Sequence, residues 1–240
     1  MRHVSHSVDV IFPTLNEAGA LPWVLGRLPV GYRAIVVDNG STDDSAAIAA
    51  GLGAVVVHEP RRGFGSACAA GLARAEAPVV AFCDADASMD PAQLPALVAR
   101  VQRGETDLAL GRRRARTLSA WPVHARLANR ALALLMRRAT GYPLHDLGPM
   151  RAARRLPLQG LDLQDRRSGF PLEMVLSAHR AGWRVEESDI DYAERVGRSK
   201  VTGTLRGTMV AIRDMSTLLR AHRVGDAAVD SPVDPDEATA

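Results

Sequence analysis

Five short apolar runs, largely β-branched, punctuate the first half of the chain. They are Val8-Asp9-Val10-Ile11-Phe12, Ala34-Ile35-Val36-Val37, Ala54-Val55-Val56-Val57, Val79-Val80-Ala81-Phe82-Cys83 and the shorter Leu108-Ala109-Leu110. Their lack of polar alternation predicts strands covered on both faces. Pro13 is expected to stop the first of them. Alanine-rich stretches between the runs, residues 17–28, 44–51, 65–75 and 91–103, predict helices. Asp90-Pro91 is a good start for the last, with an aspartate as N-cap and proline in the first turn. Such alternation implies an α/β fold whose central sheet is mostly parallel, joined by right-handed crossovers.

In such sheets ligands gather at the carboxyl ends of the strands. The polar clusters fall there. Thr14-Leu15-Asn16-Glu17 follows the first strand, Asp38-Asn39-Gly40-Ser41 the second, Asp84-Ala85-Asp86 the fourth and Gly111-Arg112-Arg113 the fifth. The second half is more mixed. Helices are expected over 121–140 and 170–181, a strand or two short strands over 184–192, and an amphipathic helix over 203–223. Residues 224–240 read as an acidic disordered tail.

Charge is uneven along the chain. All 30 basic residues precede Val224, and Lys200 is the single lysine. The last stretch carries five acids, and without them the formal charge rises from +3 to +8. A positive body predicts anionic partners such as phosphates or acidic lipid surfaces. Few aromatics and no aromatic–basic interleaving argue against nucleic acid as the partner. Cys68 and Cys83 are too few for a disulfide framework, and both sit in apolar runs that predict buried thiols. No stretch reaches the roughly 18 to 20 apolar residues that span a bilayer. Residues 1–7 lack an apolar h-region, so a cytoplasmic location is expected, with contact at the inner membrane surface left open.

Asp84 and Asp86 carry the chemistry. Two carboxylates one residue apart repel unless a proton or a cation sits between them. A magnesium or manganese ion held by one or two carboxylates and completed by substrate phosphates answers that repulsion. Two other nucleotide-binding readings fail on spacing. Gly63-Phe64-Gly65 has Cys68 where a dinucleotide fingerprint needs its third glycine. The first strand is followed by Pro13-Thr14-Leu15-Asn16-Glu17, not by the glycine-rich basic loop of a nucleotidyltransferase.

Six segments, in order over about residues 7–205, resemble the family-two inverting glycosyltransferases of GT-A fold. Most of all they resemble the polyprenol-phosphate (dolichol-phosphate) mannose and glucose synthases. They are Phe12 to Glu17, Val36 to Asp43, Arg62 to Gly65, Asp84 to Ser88, Leu108 to Arg113 and Arg195 to Lys200. The resemblance implies one GT-A domain over residues 1–223 with Rossmann-like strand–helix alternation. Its nucleotide-sugar half would span about 7–113 and its acceptor half 114–223.

The resemblance also implies roles. Pro13, Glu17 and Asp38 would hold the nucleoside, with Arg62 and Gly63 also on the nucleotide-sugar side. Asp84 would lie near ribose and metal, Asp86 would ligate a Mg2+ or Mn2+ ion, and Arg112 would face phosphates. Arg195, Arg198, Ser199 and Lys200 would form a late basic loop closing on the donor diphosphate and acceptor phosphate. The donor would be a GDP- or UDP-type sugar and the acceptor a polyprenyl phosphate. A hydroxyl acceptor would instead need a general base. Glu173 is the candidate, its competing role being to orient a loop at a helix start; Asp146 and Asp165 are lesser acceptor-side candidates. Two departures stand out: Leu15 replaces a common tyrosine, and Ser88 replaces a glutamine frequent near the metal.

Overall fold

The computed structural model describes residues 6–117 and 123–196. Strands β1 (Val8–Thr14), β2 (Tyr32–Asp38), β3 (Val55–His58), β4 (Val79–Phe82) and β5 (Leu108–Ala115) form where the apolar runs lie. Two more, β6 (Arg151–Arg154) and β7 (Val185–Tyr192), complete one seven-stranded sheet of order β3-β2-β1-β4-β6-β5-β7. Every neighbouring pair is parallel except those of β6, which runs antiparallel to both β4 and β5. The sheet is thus mostly parallel, as the alternation predicts.

Helices cover both faces. Ile11, Ile35, Val37, Val80, Phe82, Leu108 and Leu110 pack on one side against α3 (Phe64–Arg74), α5 (Val123–Thr140), α6 (Arg155–Gly160) and α7 (Phe170–Arg180). Val8, Val10, Phe12, Val36 and Ala81 pack on the other against α1 (Leu21–Gly26), α2 (Ser45–Gly51) and α4 (Leu94–Gln102). Double coverage is the physical reason these strands could dispense with polar alternation. Cys68 and Cys83 are buried and unbridged, and burial pushes both thiols well above their ordinary pKa.

Two expectations need correction here. Pro13 does not stop β1, which continues to Thr14 paired with β2. The ladder between β1 and β4 ends at Ile11, and Thr14 O accepts from Asn39 on the β2 side. Alternation therefore turns Pro13 towards the side where no ladder partner remains, so its missing N–H leaves nothing unsatisfied. The first helix is shorter than expected: Glu17 to Ala20 form a turn, with Ala20 N–H donating to Glu17 O, and α1 begins only at Leu21. Strand β6 and helix α6 were not foreseen. The expected helix over 203–223, the acidic tail 224–240 and residues 198–200 lie outside the described residues.

Candidate functional site

The strand order turns back between β1 and β4: the chain runs outward through β2 and β3, then returns to the other side of β1. A crevice opens at such a reversal. Glu17 follows β1 on one side of it and Asp84-Ala85-Asp86 follows β4 on the other. Asp38 closes β2 beside them.

Asp38 is buried at the end of its strand. One carboxylate oxygen accepts from Ser41 N–H at 2.9 Å and the other lies 3.2 Å from His58 Nδ1. Burial works against its charge, but the bonds to Ser41 and His58 outweigh it and lower the pKa. The neighbouring Asn39 fixes the next loop. Its amide donates to Glu59 O and Arg61 O, and its oxygen accepts from Gly63 N–H at 2.8 Å. Asn16, at a φ of 54°, accepts from Thr42 N–H at 2.7 Å and joins the loops after β1 and β2. Left-handed backbone suits asparagine better than most residues.

The loop after β4 holds the two acids. Asp86 is buried; Oδ1 accepts from Ser88 N–H at 3.0 Å and Oδ2 lies 3.2 Å from Arg195 Nη1. Ala87 between them takes a φ of 61°, unusual for a residue with a side chain. Ser88 is fully buried and its hydroxyl has no hydrogen-bond partner among the described residues. The segment after β7 crosses this loop: Ala193 N–H donates to Ser88 O, Val196 N–H donates to Asp86 O, and Arg195 Nη2 reaches Tyr192 Oη at 3.3 Å. Arg195 is thereby held at the carboxylates, where the late basic loop begins.

Asp84 differs from its neighbour. Among the described residues no donor bonds its side chain. Removal from water first, then the charges of Asp86 and Glu17, push its pKa up to about 7 against the pull of Arg195 and Arg113. A carboxyl so destabilised as an anion, at the mouth of a crevice, is where an added cation gains most. Among the described residues there is no group of three acids, histidines or cysteines able to hold a metal without help. The pair Asp84–Asp86 therefore fits an ion completed by ligand phosphates rather than a closed protein cage.

Strand β5 runs past the expected Leu108-Ala109-Leu110 to Ala115 through its pairing with β7. Its arginines therefore lie within the strand rather than after it, and they divide. Arg112 bonds Asp189 through Nε at 2.5 Å, an ion pair shared with Arg114. Arg113, pointing to the opposite face, forks onto buried Asp146 with bonds of 2.8 and 2.6 Å and lies over the Tyr192 ring at 5.5 Å. Its charge is among those acting on Asp84. Asp146, expected on the acceptor side, anchors Arg113. A cavity of about 560 Å³ opens here, lined among others by Arg112, Arg113, Arg114, Arg126, Arg130 and Arg137.

Both carboxylate oxygens of Glu173 hold the preceding loop, accepting from Gln164 N–H at 2.8 Å and Asp165 N–H at 2.7 Å. Asp165 in turn accepts from Arg167 and Gly169 N–H. The loop so held packs on α3. A Cβ at Gly63 would overlap the Arg166 carbonyl, and one at Gly65 the Asp165 carbonyl. Gly65 and Ser66 N–H donate to Arg167 and Arg166 carbonyls, so the start of α3 is already satisfied by backbone. Gly63 thus packs a loop, while Arg62 is exposed and lies against Gly40.

Sequence reasoning missed Arg113, Tyr192 and the arginine row of α5. Period-two alternation along β5 separates Arg112 from Arg113, but only the packing tells which of them turns inward.

Residues 9–160 match the family model described as glycosyl transferase family 2. An uncharacterized glycosyltransferase of Mycobacterium tuberculosis is 51% identical over 87% of this chain and 95% of its own. The polyprenol monophosphomannose synthase of Mycolicibacterium smegmatis is 32% identical over 89% of this chain and 88% of its own. Among solved structures, glucosyl-3-phosphoglycerate synthase from M. tuberculosis superposes with a TM-score of 0.70. It was crystallised with Mn2+, UDP and glucosyl-3-phosphoglycerate, and is 25% identical over 90% of this chain and 80% of its own. The chain belongs to glycosyl transferase family 2 and is a glycosyltransferase of GT-A fold.

Proposed function

We propose that the enzyme moves a sugar, with inversion, from a nucleotide-diphosphate sugar to a lipid phosphate of the polyprenyl class. The observation that carries this reading is the arginine-lined cavity, whose Arg113 lies over the Tyr192 ring that Arg195, the partner of Asp86, also reaches. An apolar wall of Ala115, Ala133, Leu134 and Leu144 gives that cavity an amphiphilic character. The likeness to a polyprenol monophosphomannose synthase supports the same acceptor class.

In this reading Asp38 and Glu17 accept hydrogen bonds from the nucleoside, with Pro13 shaping the wall beside them. Asp84 and Asp86 hold a divalent ion, Mg2+ or Mn2+, which when bound supplies Lewis-acid stabilisation of the leaving diphosphate. Arg195 faces that diphosphate, joined by Arg198, Ser199 and Lys200. Arg112, Arg113 and Arg114 receive the acceptor phosphate. One of its oxygens attacks the anomeric carbon in line as the bond to the nucleoside diphosphate breaks. That oxygen is already anionic near neutral pH, so no protein base is required. The commitment of both Glu173 oxygens to backbone amides agrees with a reaction that needs none.

A soluble phosphorylated acceptor is the second reading, favoured by the likeness to an enzyme crystallised with glucosyl-3-phosphoglycerate. A transfer assay separates the two. Radiolabelled GDP- and UDP-sugars are offered with Mn2+ or Mg2+ and either a short-chain prenyl phosphate or phosphoglycerate. Chelator-sensitive product on the prenyl phosphate alone is expected. Product on phosphoglycerate alone would overturn the lipid reading.

A further inference from the structure

Helix α5 (Val123–Thr140) has two apolar stripes and only one of them meets the core. Ala133, Met136 and Thr140 are buried against the sheet. On the opposite side, at the helical spacing of four, three and four residues, stand Leu127, Ala131, Leu134 and Arg138. Leu127 is 58% exposed, Leu134 46% and the adjoining Leu135 37%. Large apolar side chains exposed singly need no explanation, but three on one helix face form a patch. The flank between the stripes carries Arg126, Arg130 and Arg137, which line the cavity. The helix sequence contains no aspartate or glutamate.

We infer that the outer face of α5 is a docking surface for an anionic lipid bilayer. Exposed leucines beside arginines, with no acid among them, give what an interfacial helix needs: apolar side chains to enter the acyl boundary and cations to meet lipid phosphates. Arginine stems lie along the apolar stripe while their guanidinium groups stay at headgroup level. A soluble protein partner would require balancing acids at α5 or accept an all-cationic rim; an anionic bilayer matches that rim by charge alone. Docking goes beyond the transfer reaction. Only its consequence rests on the acceptor reading: Leu134 belongs both to the outer stripe and to the cavity wall. A lipid phosphate can therefore reach the arginines while its chain stays in the bilayer.

The test uses the full chain labelled with an environment-sensitive fluorophore at Ala131→Cys. Both native cysteines are buried, which keeps the label selective. Vesicles of phosphatidylcholine alone are compared with vesicles carrying about one third phosphatidylglycerol, without donor or acceptor. A blue shift with the anionic vesicles only, weakened by salt, is expected. Co-sedimentation should fall about tenfold in Leu127→Ser with Leu134→Ser, at unchanged thermal midpoint. Three outcomes overturn the inference. One is no shift with anionic vesicles. Another is emission already blue in buffer, which means another segment of this chain covers the face. The third is a lipid-independent shift that follows protein concentration, which means a second copy does. Transfer to a water-soluble short-chain prenyl phosphate is measured separately, so a failure of docking is not confused with a failure of the acceptor reading.

Discussion

Asp9 lies on β1 and Asp84 two residues past the end of β4, the strand paired with it; both are drawn away from water, and they were given opposite surroundings. Asp9, at the start of β1 opposite Val80, is fully buried. Arg33 forks onto it at 2.7 and 2.9 Å, and the amides of Glu76 and Ala77 donate to it as well. Burial opposes its charge, yet those bonds prevail and its pKa is lowered. Asp84, beyond the other end of β4, receives no such bonds among the described residues, and its pKa rises to about 7. One carboxylate is complete as the fold makes it. The other is finished only by something added. Asp9, at the amino end of its strand, staples a loop, whereas Asp84, past a carboxyl end where ligands gather, is left with affinity to spare.

The contrast breaks most visibly at Asp86. Asp86→Ala should lower sugar transfer by about 10² to 10³-fold, the scale of losing one preorganised electrostatic group, with little change in thermal midpoint. Full metal-dependent turnover in that variant would end the metal assignment. Asp9→Ala should do the reverse. Stripping a buried ion pair of one partner costs about 3 kcal/mol in urea unfolding, while turnover per folded molecule stays put. A loss of turnover without a loss of stability would show Asp9 to be more than a staple.

The smallest effect is a matter of pH. An unfolded aspartate ionises near pH 4, whereas folded Asp84 keeps its proton to about 7. Folding therefore retains a proton between these values, and the stability that the protonated acid contributes below about pH 4 is lost as pH rises through the window. Asp84→Asn removes that loss. In chelator the variant should match the wild type near pH 4 and gain on it progressively as pH rises to about 7, read from chemical denaturation. Equal stability across the range would mean the acid is not destabilised as an anion.

Much of this was legible in the chain. The β-branched runs gave β1 to β5 because doubly covered strands have a composition of their own, and the acids past β4 could be assigned to the binding edge from strand direction alone. Strand β6 was not legible. Arg151-Ala152-Ala153-Arg154 has no β-branched residue, and its strand form comes from pairing with β4 and β5, which lie far away in sequence. Arg151 itself is buried and donates to Gly148 and Pro171 carbonyls, an environment no local pattern announces. At Glu173 the chain left two roles open, base or loop holder, and the structure shows both its oxygens on loop amides.

The sequence by itself determined the alternation of strand and helix, the edge at which polar groups collect and the mutual repulsion of Asp84 and Asp86. These follow from side-chain period, chain direction and charge, all of them local. Only the tertiary structure decided that Arg113 turns onto buried Asp146 while Arg112 pairs with Asp189, that Glu173 is spent on backbone amides and that α5 turns leucines outward. Each of these depends on which face of one element meets another distant in sequence, and packing fixes that only when the whole sheet has assembled.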